Sequence, residues 1–346
     1  TNHGQTIFLP FASKFSSAYT PTVRGSINGK AFTFPVDTGS TGLIIGAPLL
    51  PNVKLDAKNE AKYQRGWEFL DSSSLLYTGR FVPLNVTFYG KTSARRAVTQ
   101  VPVLVVQSVV KCPGYNPTTG KGVCPKGKSV KSTANLSHIT YMGVGFGRNV
   151  AGSGIDFGTP DHNPFLNVID INGHSTARLR TGYTLSTKGV YLGLTEKNTI
   201  NADWVKLERG ATENPRDWAG VRMSFKVNGA GDFKGTALVD TGVPQMYLQS
   251  APIGTLPNVT IPNPAPSPAP KYTRRVTKGT HLAFAFPNFE RGVAGYDFAV
   301  GDAAFPSQPK YVQPVSIGSG PFVNTGRNFL FGFTILFDAV DGRFGF

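Results

Sequence analysis

Cysteine is nearly missing from this chain, whose 346 residues include only Cys112 and Cys124. No second cysteine pair and no histidine pair accompanies them, which excludes the usual zinc sites, and no metal is expected. Their spacing, around a Pro/Gly/Lys-rich loop, suits one local disulfide. Histidine is scarce as well: His3, His138, His162, His174 and His281 show no ligand spacing and read as surface or hydrogen-bonded structural residues. Neither a Gly-x-Ser-x-Gly elbow nor a phosphate-binding Gly-x-x-x-x-Gly-Lys-Ser/Thr loop occurs, because Gly90-Lys91-Thr92 has Asn85 where the earlier glycine belongs. No apolar run approaches the roughly 18 residues of a membrane helix, so no span is expected. The chain opens at Thr1 without Met or an apolar signal core, as a mature or trimmed form would. Acid side chains are also few: 20 against 35 Lys and Arg, a net charge of +15.

Long helical periodicity is absent too, and short Val/Ile/Phe/Tyr/Thr runs stand in its place among 40 Gly and 26 Pro. Residues 101–110, 183–194 and 222–228 read as strands, and strand-like sequence resumes at 281–286 after the Pro-rich stretch 261–270. Regular turn signals between short strands predict a mostly β protein, and the length suggests about two domains. One motif occurs twice, about 200 residues apart: Val36-Asp37-Thr38-Gly39-Ser40 and Val239-Asp240-Thr241-Gly242-Val243. Each Asp-Thr-Gly follows a short apolar run, one in each half. Two carboxyls brought within a few ångströms cannot both ionise cheaply, so one keeps a proton while the other acts as base on a shared water.

The paired triplets resemble those of the pepsin-like aspartic peptidases. The resemblance extends, in order, through Tyr19 to Gly25, Phe34 to Asp37, Tyr141 to Gly147, Gly189 to Leu194, Gly326 to Leu330, and Phe337 through Phe346. It implies a bilobal double β-barrel with the cleft between lobes 1–195 and 196–346. It further implies an Asp37/Asp240 dyad that hydrolyses peptide bonds without a cofactor. Gly39 and Gly242 would turn the backbone so that its N–H groups meet the carboxylates, Ser40 would support the first loop, and the Thr38 and Thr241 hydroxyls would brace the loops against each other.

Several positions depart from that pattern. Ile44 stands where the family usually has Trp, and the flap position for its Tyr partner falls near Ser72, with Tyr77 the nearest tyrosine. Val243 offers the second carboxylate no hydroxyl, which should raise its pKa, whereas Arg327 replaces a frequent acid and should lower it. Three readings follow. The first is a secreted aspartic endopeptidase acting on polypeptides. The second is a catalytically altered protein of the same fold that binds or inhibits a cell-wall polysaccharide or carbohydrate-active enzyme. The third is a dyad hydrolase acting on a glycosidic bond. Sequons at Asn85, Asn135 and Asn258, with the cysteines, point to an extracellular glycoprotein. The basic balance suits an anionic polymer as partner; nucleic acid is not expected, since no recognition signature or aromatic-basic interleaving occurs. No heptad or assembly segment is present, and a monomer is expected.

Overall fold

Asn-Gly pairs set the first contacts of the architecture. Asn28-Gly29, Asn172-Gly173 and Asn228-Gly229 all take positive φ at both residues (50° and 78°, 55° and 85°, 51° and 77°). That is the mirror-image turn whose twist matches a two-residue hairpin. They join Thr22–Ile27 to Lys30–Pro35, Val168–Ile171 to His174–Ser175, and Val221–Val227 to Ala230–Leu238. The computed structural model describes residues 3–70, 73–132, 134–148, 158–250, 256–265, 269–316, 318 and 320–346. Among these the regular structure is mostly β, with short 3-10 turns and no α-helix.

Three sheets carry the molecule. A ten-stranded sheet is drawn from residues 22–175, around the long pair Leu75–Tyr89 and Arg96–Lys111. A seven-stranded sheet is drawn from residues 221–324 and includes Val221–Val227, Ala230–Leu238 and Phe322–Asn324. The third sheet mixes distant segments in the order Ile7–Pro10, Gly189–Leu192, Gly182–Ser186, Ile335–Asp338, Arg343–Gly345 and Trp204–Lys206. The stretch 183–194, expected as one strand, is thus two, turned at Thr187 and Lys188 so that Ser186 pairs with Gly189. The Pro-rich stretch links the two strands of a separate ribbon, Asn258–Pro262 and Tyr272–Val276.

One connected apolar cluster runs through these sheets, built mainly of valine, leucine and phenylalanine. Phe34, Phe88 and Phe165 meet edge to face in the first half, while Phe286 and Phe329 do so in the second. Phe146 stacks flat on Phe337 of the mixed sheet, with ring centres 4.0 Å apart. The expected disulfide between Cys112 and Cys124 is formed. No helix of the described residues is long and apolar enough to cross a membrane. Of the sequons, Asn85 and Asn135 are exposed. Asn258 is half-buried: its amide donates to Leu256 O and its oxygen accepts from Arg274.

Candidate functional site

Each Asp-Thr-Gly follows the second strand of an Asn-Gly hairpin, so the same local unit is built twice. Val36 and Val239 are buried and anchor the two loops to the core. Beyond them the backbones leave their sheets. The Asp37 carbonyl accepts from Val144 N (2.7 Å), and Thr325 N donates to Leu238 O (2.9 Å). The two threonines, both buried, then cross between the loops. Thr38 N donates to Thr241 Oγ1 and Thr241 N to Thr38 Oγ1, both at 3.0 Å. Each hydroxyl donates onward to the opposite valine carbonyl, Thr38 to Val239 O and Thr241 to Val36 O, both at 2.5 Å. The N–H and O–H of both threonines thus all find acceptors on the opposite loop, which ties the two loops together.

The carboxyls meet above that junction. The point where a Cβ on Gly242 would sit is within 2.9 Å of both Asp37 Oδ1 and Asp240 Oδ1. Gly39 N donates to Asp37 Oδ1 and Gly242 N to Asp240 Oδ1, both at 2.7 Å. A Cβ at Gly39 would collide with the Asp240 carboxyl, and one at Gly242 with the Asp37 carboxyl, so only glycine admits this approach. The outer oxygens differ. Asp37, half-buried, takes the exposed Ser40 hydroxyl on Oδ2 (2.7 Å), whereas Asp240, 6 % exposed, takes Asn324 Nδ2 on Oδ2 (2.6 Å). Asn324 is held in turn by Gly326 N on its own oxygen (3.0 Å). The hydroxyl that Val243 lacks is thus replaced by a carboxamide from Phe322–Asn324, a residue to which the sequence did not point.

Burial raises the Asp240 pKa well above the ordinary carboxylic range, and the neighbouring Asp37 charge adds to it. Hydrogen bonds from Asn324 and Gly242 oppose the rise without cancelling it. Arg327 lies close by at 3 % exposure, its Nη2 donating to Gly242 O (2.7 Å) and Thr20 Oγ1 (3.2 Å). Burial pulls its pKa down, and the charges of Asp240 and Asp37 pull it back up.

Asp37 opens onto a cleft of about 680 Å³ whose walls include Thr20, Pro35, Glu68, Leu70, Tyr141 and Met142. The strand Arg65–Leu70 alternates: Glu68 and Leu70 line the cleft, while Trp67 and Phe69 turn the other way to pack with Leu76, Cys112 and Tyr115. Ser72, the expected flap position, lies outside the described residues. Tyr77 is buried in a cluster with Ile44 and Leu104, and its ring stacks on that of Tyr141 at the cleft wall, with centroids 6.3 Å apart. Ile44 therefore packs beside a tyrosine, one supplied five positions beyond the place where the flap residue was sought. Among the described residues no cluster of His, Cys, Asp and Glu could hold a metal ion. No protein-family model and no curated protein sequence matches the chain.

Proposed function

We propose that the protein is a secreted aspartic endopeptidase of bilobal pepsin-like arrangement, with residues 1–195 and 196–346 as lobes and the cleft between them. The observation that carries this reading is the convergence of the two carboxyls: Asp37 Oδ1 and Asp240 Oδ1 both lie within 2.9 Å of the one point where a Cβ on Gly242 would sit. Glycosidase carboxyls stand about 5 Å or more apart, whereas two carboxyls that converge on one glycine turn, one raising the pKa of the other, favour a pair that shares a proton. The raised pKa of buried Asp240 favours keeping that proton there, leaving Asp37, which opens on the cleft, as the ionised base.

Asp37 would take a proton from water as the water oxygen attacks the peptide carbon, while the carbonyl oxygen takes the proton held by Asp240. The resulting tetrahedral diol collapses: Asp37 passes its proton to the leaving nitrogen, the C–N bond breaks, and a diol proton returns to Asp240. The dyad is regenerated and nothing but water is consumed. The crossed threonines hold both carboxyls in place throughout, so little reorganisation is needed as charge moves.

The test is cleavage of a denatured protein mixture from about pH 2 to about pH 8, with Asp37→Asn and Asp240→Asn as controls. Each variant should lose at least about 10³-fold in rate, as expected when one member of a concerted pair is removed. Folded wild type that neither cleaves at any pH nor binds a statine-type peptide would sink the peptidase and leave a binding protein of the same build.

A further inference from the structure

Residues 111–131 carry Lys111, Lys121, Lys126, Lys128 and Lys131, and not one Asp or Glu. The four after Lys111 are exposed, and none of the five forms an ion pair with another described residue. Five unmatched cations on one short segment repel one another, and a flexible segment would let them spread apart. This segment is held instead. The Cys112–Cys124 bond closes it, and Val130–Lys131 pairs with the end of Arg96–Lys111. Gly122 is tied on both sides, its N–H to Tyr115 Oη (2.7 Å) and its carbonyl to Arg65 Nη2 (2.8 Å). The Tyr115 ring is buried against Phe69, with centroids 4.7 Å apart. The lysines are therefore carried by an anchored segment that packs on the face of Arg65–Leu70 turned away from the cleft.

We propose that this stapled loop is a docking surface for a linear anionic polysaccharide, a partner whose regularly spaced charges can meet several ammonium groups at once. The chemistry favours a glycan over a nucleic acid on two grounds. The nearby rings of Trp67, Phe69 and Tyr115 pack inward with Leu76 and the disulfide, so they offer no platform for stacking bases. The disulfide also belongs to an oxidising compartment, where the long polyanions of cell surfaces are carboxylated or sulfated glycans. Because Trp67 and Phe69 place the loop behind the flap strand, a polymer held there leaves the cleft open.

The probe is polygalacturonate, with binding of the purified protein followed as NaCl is raised from about 20 to about 300 mM. Three proteins are compared. One is the wild type, one carries Lys→Gln at 121, 126, 128 and 131, and one carries Lys→Gln at the exposed Lys14, Lys54, Lys188 and Lys197, which removes the same charge elsewhere. The loop variant should bind at least about 10-fold more weakly at low salt and show a shallower salt dependence, since fewer counterions are released. The second variant should stay within about 2-fold of wild type. Equal weakening in both variants, or no binding by wild type, overturns the proposal. Tight binding of a single-stranded DNA oligomer with polygalacturonate left unbound would overturn it in favour of a nucleic-acid partner. Thermal unfolding of all three establishes that they are folded.

Discussion

Arg327 is buried, yet its Nε and Nη1 have no hydrogen-bond partner. A guanidinium in that position is costly unless nearby negative charge offsets its lost hydration, and the two carboxyls supply that charge. The coupling works in both directions. Arg327→Met should make the Asp240 carboxyl harder to ionise, so the limb of the pH–rate profile that reports it should move upward by about one unit. Arg327→Lys should restore part of the shift; a profile unmoved in the Met variant would show that the cation does not act on the dyad. Much of this site is legible in the sequence because an Asp-Thr-Gly turn is local: the triplet itself brings the glycine N–H to the carboxylate. Asn324 was not legible, for it lies 84 positions from Asp240 and arrives only through the register of Phe322–Asn324 beside Ala230–Leu238. Val243 and Arg327 pointed to opposite shifts for Asp240, and neither decides the outcome. Burial does, and burial is a property of the folded whole.

The hairpin of Arg65–Leu70 and Leu75–Tyr89 is a two-sided element. One face borders the cleft through Glu68 and Leu70, and the other rests on the disulfide loop through Trp67 and Phe69. Replacing both Cys112 and Cys124 by Ser should cost about 3 kcal/mol, the scale for a loop of roughly a dozen residues. Denaturant unfolding measures that loss. Cleavage of a peptide substrate should fall as well, because the cleft wall loses its backing; unchanged kcat/KM with lowered stability would show the two faces to be independent. The disulfide could be read from two cysteines and their spacing. The position of Tyr77 could not, since the register of Leu75–Tyr89 against Arg96–Lys111 shifts between Thr78 and Gly79. The extra residue is Gln107 in the partner strand, opposite Thr78 and Gly79, and such a bulge far along the chain leaves no mark on the sequence around Tyr77.

At the scale of the molecule, the mixed six-stranded sheet joins segments from both ends of the described chain, and a charged cluster secures it. Asp338, fully buried, accepts from Arg180 Nη2 and Arg343 Nη2, both at 2.7 Å. Burial alone would raise its carboxyl pKa, but the bonds from Arg180 and Arg343 outweigh burial and hold it below the ordinary value. A carboxyl lowered in this way contributes stability that is present above its unfolded value, near pH 4, and is lost as pH falls through its lower folded value. Asp338→Asn should therefore destabilise the protein by about 3–5 kcal/mol at neutral pH, with the gap to wild type closing in acid. Thermal unfolding at several pH values reads both effects. The β class was legible here, because short alternating runs and turn residues are local signals. Which strands would share a sheet was not, since Ile7–Pro10 pairs with Gly189–Leu192 across most of one half.

That shared sheet also has a consequence for biosynthesis. Ile7–Pro10 leaves the ribosome early, but its neighbour, Gly189–Leu192, emerges some 180 residues later, and Ile335–Asp338 and Arg343–Gly345 later still. Pairings so distant in sequence form slowly, because each must close a long loop first. Asn324 and Arg327 belong to the same late stretch, so Asp240 lacks its carboxamide and its guanidinium until then. A nascent chain would carry both aspartates well before it could position them, and translation itself would delay assembly of the pair until Asn324 and Arg327 had emerged.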